Sequence, residues 1–174
     1  MKMIFFSDIH GKTTNLEKLE KIIVNGNFDK IIVLGDVFDY TFSEESKKIE
    51  EFLKRYQRKL IIMKGNCDFL GHIEKSSLSF TYDIALLTVD KIDIYFTHGN
   101  RYHKDNNPIF TNGVMVYGHE HIPYIQKEGD MIYLNTGSIS LPRNEEGPTY
   151  TTYENRCFTI YSILDGRVVD SISI

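Results

Sequence analysis

The first half of the chain alternates short, wholly apolar runs with segments whose apolar residues return every three or four positions. Met3–Phe6 is the first run, and behind it Leu16, Leu19, Ile22 and Ile23 recur at helical spacing over residues 14–25. Thr14 is the expected N-cap of that helix, with Glu17 three residues on in the capping-box position. Residues 30–34 and 60–63 are two further apolar runs. Between them, Ile49, Phe52, Leu53 and Tyr56 put one apolar stripe on a charged helix over residues 43–58. This strand–helix–strand–helix–strand order predicts a parallel sheet with crossover helices.

The second half changes rhythm. Residues 80–88 and 92–97 flank Asp90-Lys91, an expected hairpin turn. Residues 114–117, 124–127 and 131–135 follow as strands, the last two joined across Gly129-Asp130. The tail reads as strands over residues 150–154, 157–164 and 168–174, with turns at Asn155-Arg156 and Asp165-Gly166. The expected architecture is α/β, with two sheets face to face and helices outside. No repeat, low-complexity stretch or Pro/Gly-rich linker divides residues 1–174, so one domain is expected.

Composition narrows the class of partner. With 41% hydrophobic and 25% charged residues over 174 positions, the chain has a globular balance. Its 20 Lys+Arg against 24 Asp+Glu, without a large basic tract, give no electrostatic reason to expect duplex DNA. Cys67 and Cys157 form neither a disulfide scaffold nor a CxxC pair. The apolar part of the N-terminus is too short for a signal peptide, and no run approaches the ~18 residues of a membrane span. The cytoplasm is the expected address, and no membrane partner is expected.

The chemistry collects where the apolar runs stop. Met3–Phe6 ends in Ser7-Asp8-Ile9-His10, and residues 31–34 end in Gly35-Asp36. Residues 60–63 lead to Gly65-Asn66-Cys67-Asp68. Ile92–Phe96 ends in Thr97-His98-Gly99-Asn100, and residues 114–117 end in Gly118-His119-Glu120-His121. Each piece alone has a plain explanation as a turn or cap, since Gly-Asp and Gly-Asn are ordinary turn dipeptides. The ordered set does not: in α/β sheets, sites form beyond the carboxyl ends of the strands. Mixed carboxylate and imidazole suit Mn²⁺, Fe²⁺, Zn²⁺, Ni²⁺ or Co²⁺. Seven potential ligands exceed one tetrahedral ion and fit two ions ~3.5–4 Å apart sharing a carboxylate, an arrangement suited to phosphate-ester hydrolysis.

In order and type, Asp8-Ile9-His10, Gly35-Asp36, Gly65-Asn66-Cys67-Asp68, His98 and Gly118-His119-Glu120-His121 resemble the calcineurin-like metallophosphoesterase family. The chain is most similar to its small YfcE-like phosphodiesterase branch, and the resemblance runs to about residue 164. It implies an α/β/β/α sandwich of the metallo-dependent phosphatase type and a phosphodiesterase acting on a small phosphodiester. It also implies two divalent metal ions per chain, manganese first, with Fe, Zn, Ni, Co or Mg as other occupants. Asp8, His10 and His121 are then expected to hold one ion, and Asn66, His98 and His119 the other, with Asp36 bridging. A hydroxide between the ions is expected to attack phosphorus in line with the leaving oxygen. Ligating imidazoles must be neutral, so activity is expected to fall in acid.

Two departures from the family stand out. Many members carry a histidine where Cys67 stands, and that imidazole protonates the leaving group; a thiol is a poor substitute. The branch itself often reads His-Gly-His where this chain has His98-Gly99-Asn100. His103 is either the partial replacement for that missing imidazole or a solvated loop residue. The expected catalytic residues are therefore Asn66, Cys67, Asp68 and His103, and the expected substrate contacts Asn100, Arg101 and Ser138. Arg143 is either a phosphate clamp or an interface residue, His72 a structural or surface residue, and Cys157 a small core residue. There are two alternatives: a phosphomonoesterase or nuclease on the same site, and a non-catalytic scaffold similar to a retromer subunit. The scaffold reading predicts lost ligands, whereas all seven positions are filled. A dimer or tetramer of this chain is a further expectation.

Overall fold

Fourteen elements build the protein in the computed structural model, which describes residues 1–41, 43–109 and 112–174. They run β1 (Met3–Phe6), α1 (Leu16–Gly26), β2 (Lys30–Val33), α2 (Glu44–Lys54), β3 (Leu60–Ile62), α3 (Leu70–Lys75), β4 (Ala85–Val89) and β5 (Ile92–Phe96). Then come β6 (Gly113–Tyr117), β7 (Pro123–Glu128), β8 (Met131–Thr136), β9 (Thr149–Glu154), β10 (Cys157–Ser162) and β11 (Val168–Ser173). One sheet has the order β11-β10-β9-β1-β2-β3 and the other β4-β5-β6-β8-β7. Within them β1-β2-β3 and β5-β6-β8 are parallel, so six strands present their carboxyl ends to one rim. The remaining strands pair antiparallel.

The apolar runs are buried on both faces, which is why they show no polar alternation. Ile4, Phe6, Ile31 and Val33 face α1 and α2, packing on Leu19, Ile23, Ile49 and Phe52. Met3, Phe5, Ile32 and Leu34 face the other way, into the layer shared with Ile94, Phe96, Val114, Val116, Ile132 and Leu134 of the second sheet. On the outer side of the second sheet, Tyr95, Met115, Tyr117, Met131 and Tyr133 pack with Ile84, Ile109 and Tyr124. Two sheets face to face are therefore as the sequence predicts, and α1 and α2 both cover the first of them.

Four local expectations change. The α1 N-cap is Asn15, not Thr14, and its side chain does not cap; it donates 2.6 Å to the Ile139 carbonyl, tying the helix start to the loop after β8. Helix α2 starts as expected, with Ser43 accepting from Ser46 N–H, but ends at Lys54, where bonds of the i→i+3 type wind residues 55–59 into turns. The run 80–88 is split: Thr81 bridges to Met63 of the first sheet, and β4 begins at Ala85 in the second. Asp83 (φ 58°) bends the chain in between. Cys157 is half-buried, because Phe158 and Ile160 take the inward positions of β10.

Candidate metal centre

The strand ends converge on one rim because their loops continue to pair after the strands stop. Asp8 N–H donates to Gly35 O, His10 N–H to Asp36 O, and Gly118 N–H to His98 O. Asp8 (φ 57°), His10 (49°), Asp36 (51°), His119 (67°) and His121 (62°) all sit in the left-handed region. That region costs a side-chain-bearing residue on the order of 1 kcal/mol, and such strain gathers where function fixes a side chain. Two glycines make room for it. A Cβ on Gly65 would stand 2.1 Å from Asp36 Oδ1, and one on Gly118 would stand 2.0 Å from Ser7 Oγ.

Three groups of donor atoms result among the described residues: Asp8, His10 and His121; Asp36, His98 and His119; and His10, Asp36 and Cys67, which overlaps the other two, the atoms of each group lying within 4.8 Å of one another. His121 Nε2 is 3.1 Å from Asp8 Oδ1, His98 Nε2 is 3.3 Å from Asp36 Oδ2, and His10 Nε2 is 3.6 Å from Asp36 Oδ2. Asn66 Oδ1 lies 3.0 Å from His98 Nε2, which brings all seven expected ligands together.

The donor chemistry tests whether metal fits. His98 Nδ1 and His121 Nδ1 each lie 2.7 Å from a backbone carbonyl, of Leu34 and Leu141. A carbonyl accepts only, so Nδ1 carries the proton and neutral Nε2 presents a lone pair. The lone pair of His121 then faces Asp8 Oδ1, a buried oxygen with no hydrogen-bond donor. That of His98 faces two oxygens, and His10 Nε2 meets His121 Nε2 at 3.3 Å. Converging lone pairs repel unless a cation lies among them. Divalent metal fits this set.

Without an ion, the same groups pull protons instead. Burial opposes charge on Asp8, yet His10 and His121 outweigh it and hold the carboxyl well below the usual range. Burial likewise opposes charge on His98 and His10, and Asp36 and Asp8 beside them override it, raising both imidazoles above their ordinary value. His119 moves the other way, lowered by burial and by neighbouring His98. Burial pushes the Cys67 thiol up to about 11, so it stays protonated.

The other expected residues fall in different places. Asp68 is fully buried, and its two oxygens accept from Phe38 and Gly65 N–H at 2.9 Å each, locking the loops after β2 and β3 together. Its carboxylate has no face toward a substrate. Ser138 is also fully buried; it donates to Asp8 O and accepts from Ser140 and Leu141 N–H, so it braces the site rather than opening onto it. Asn100 and Arg101 line a cleft of about 170 Å³ with Lys64, Thr97 and His98, and Arg101 pairs with Asp83 at 3.2 Å. His103 sits in a tight turn, bridged to Asn106 and accepting from Asp105 N–H on Nδ1. Exposed Arg143 donates its backbone N–H to His121 O, and His72 of α3 meets Phe69, just before that helix, edge-on.

Tyr40 was not among the expected residues. Its hydroxyl accepts from the Cys67 thiol at 3.6 Å, and it stands beside Phe69. A lone tyrosine seven residues past a strand carries no motif, so only the fold reveals it.

Comparison with known proteins agrees with this geometry. The family model of the calcineurin-like phosphoesterase superfamily domain matches residues 1–156. Phosphodiesterase YfcE of Escherichia coli K12 is 27% identical over all of this chain and 98% of its own length. A solved structure of that E. coli phosphoesterase superposes with a TM-score of 0.91 at 26% identity, covering both chains fully. Vps29 of Entamoeba histolytica, solved with zinc, has a TM-score of 0.63 at 16% identity over 99% of this chain and 98% of its own, a likeness of fold alone. The chain belongs to the calcineurin-like phosphoesterase superfamily.

Proposed function

We propose that this protein is a phosphodiesterase dependent on two divalent metal ions, manganese first among them. The observation that carries the reading is the set of lone pairs converging on Asp36, with one imidazole group on either side. Asp8, His10 and His121 would hold one ion, and Asn66, His98 and His119 the other, with the Asp36 carboxylate common to both. When bound, such a pair polarises phosphoryl oxygens and supplies hydroxide near neutral pH for in-line attack on phosphorus.

The rest is done by the chain. The Leu34 and Leu141 carbonyls fix the tautomers of His98 and His121, so each Nε2 is ready without reorganisation. Cys67 N–H donates 2.7 Å to Asp36 Oδ1 and His119 N–H donates 2.9 Å to Asp8 Oδ2, leaving the opposite oxygens free for metal. Asp68 and Ser138 act as positioning residues. Asn66, exposed at the rim, turns its amide toward Cys67 Sγ and has an N–H to offer a phosphate oxygen. Two divalent ions leave the mouth positive in an acidic protein, which suits an anionic diester. Among the described residues no helix is long and apolar enough to cross a membrane.

The test is elemental analysis of purified protein with hydrolysis of bis(p-nitrophenyl) phosphate before and after chelation. Hydrolysis lost on chelation and restored by Mn²⁺ is expected. Less than one transition metal per chain after manganese loading, with no hydrolysis, defeats the reading.

A further inference from the structure

Beside the metal centre, the rim carries side chains that neither the core nor the ligand set uses. Tyr40 is 65% exposed, Phe69 46% and Leu70 56%. Tyr40 leaves the loop after β2, four residues past Asp36; Phe69 and Leu70 follow Asp68 at the start of α3, a helix that buries none of its residues. Ring centroids of Tyr40 and Phe69 lie 5.4 Å apart with planes at 50°, and His72 meets Phe69 edge-on at 5.9 Å. A tilted pair of this kind leaves ring faces open to a further flat group.

Position matters as much as exposure. The Tyr40 hydroxyl is 3.6 Å from Cys67 Sγ, and that sulfur lies within 4.8 Å of the ligand atoms of His10 and Asp36. The aromatic surface therefore begins one side chain from the metal centre. Water-exposed aromatic rings grouped beside a polar site mark a place where a ligand supplies the missing cover.

We infer that Tyr40 and Phe69 form a stacking subsite for a flat aromatic ester group on the phosphodiester, an aryl ring or a nucleobase. The inference rests on the phosphodiesterase reading and names its substrate class. Rings recognise such a group by π-face and apolar area, whereas a flexible glycerol ester offers no flat face to them. The Cys67 contact holds the Tyr40 ring by its hydroxyl, so the face is presented in one orientation. A contact of this kind is made in ground and transition state alike, so it acts on KM and leaves kcat in place.

The test is equilibrium binding to the Mn²⁺-loaded full chain by calorimetry, using two pairs of probes. Phenylphosphonate is compared with methylphosphonate, and adenosine 5′-monophosphate with ribose 5-phosphate; the pair that discriminates tells aryl from nucleobase. At least one ring-bearing probe is expected to bind about tenfold more tightly than its partner. In Tyr40→Ala/Phe69→Ala the ratio is expected to fall within twofold while the ring-free probes keep their affinity. Tyr40→Phe, which keeps the ring but loses the hydroxyl contact with Cys67, is expected to keep more of the preference than Tyr40→Leu or Phe69→Leu, which keep bulk and folding and are expected to lose about threefold of it. A wild-type preference below threefold in both pairs, or one that survives in the leucine variants, overturns the subsite. Hydrolysis of bis(p-nitrophenyl) phosphate without ring preference defeats this inference alone; ring preference without hydrolysis defeats the phosphodiesterase reading alone.

Discussion

At one rim of the sandwich, Asp90-Lys91 and Asn155-Arg156 turn their hairpins with both residues left-handed, at φ 53°, 64°, 51° and 60°. At the opposite rim, Asp8, His10, Asp36, His119 and His121 hold the same backbone conformation. The hairpin turns use it because it matches the twist of the strands they join, and polar groups there find partners within the protein. Arg156 donates 2.5 Å to Asp90 O, and Tyr153 donates 2.8 Å to Asp90 Oδ2. At the ligand rim the same conformation turns carboxylates and imidazoles inward until lone pairs face one another. One rim is complete without a ligand and the other is not. Left-handed residues are therefore no sign of function by themselves; the unsatisfied groups they carry are.

Breaking the ligand rim should have the largest effect. Asp36→Asn removes the carboxylate that the proposed function gives to both ions and is expected to lower kcat/KM on bis(p-nitrophenyl) phosphate by ~10³-fold or more. Activity within tenfold of wild type would remove Asp36 from the centre of the site. Asp68→Asn comes next, because one of two buried N–H partners then faces an amide. A loss of ~1–3 kcal/mol in urea unfolding and of about 10–100-fold in kcat is expected, with manganese content retained. Unchanged stability would contradict a positioning role.

The two rims should also differ in their response to pH and metal. His10 and His98 are raised in the folded protein, so their contribution is complete below the unfolded value of ~6.5 and lost as pH rises through their folded values. His119, lowered, works the opposite way, one ring against two. Metal-free protein is therefore expected to melt roughly 2–4 °C lower at pH 8 than at pH 6, the size of a ~1 kcal/mol change. Manganese-loaded protein should show the reverse slope, since ligation needs neutral rings. Parallel slopes in a calorimetric scan would mean the imidazoles do not take the ion. Smallest of all is Arg156→Ala: a loss of about 1 kcal/mol in stability at the far rim, with kcat/KM within twofold of wild type. A larger kinetic effect would show that the rims are not independent.

The sequence was legible where functional groups stand within a few residues of a strand end. Asp8, His10, Asp36, His98, His119 and His121 could be picked out because each follows an apolar run directly, and the fold gathers all of them. Roles that depend on partners far along the chain were not legible. Asp68 meets Phe38 thirty residues away, Ser138 reaches back to Asp8, and Asn15 to Ile139. No local pattern states whether such a carboxylate, hydroxyl or amide opens to substrate or closes on backbone. The split of residues 80–88 between two sheets was hidden for the same reason, since an apolar run does not say which sheet its ends will join. Short α3 escaped notice because six residues with no buried face leave no periodic trace.

The bond between Arg156 and Asp90 has a mechanical side. Asp90 belongs to a hairpin of the second sheet and Arg156 to a hairpin of the first, so the two sheets are pinned there as by a hinge. At the far end, Asp8, His10 and Asp36 come from the first sheet, and His98, His119 and His121 from the second. An ion held between them would be a latch across the open edge of a clasp. Catalytic metal in this arrangement would also close the shell around the apolar layer between the sheets, and its loss would loosen that layer from the ligand rim inward, the hinge last.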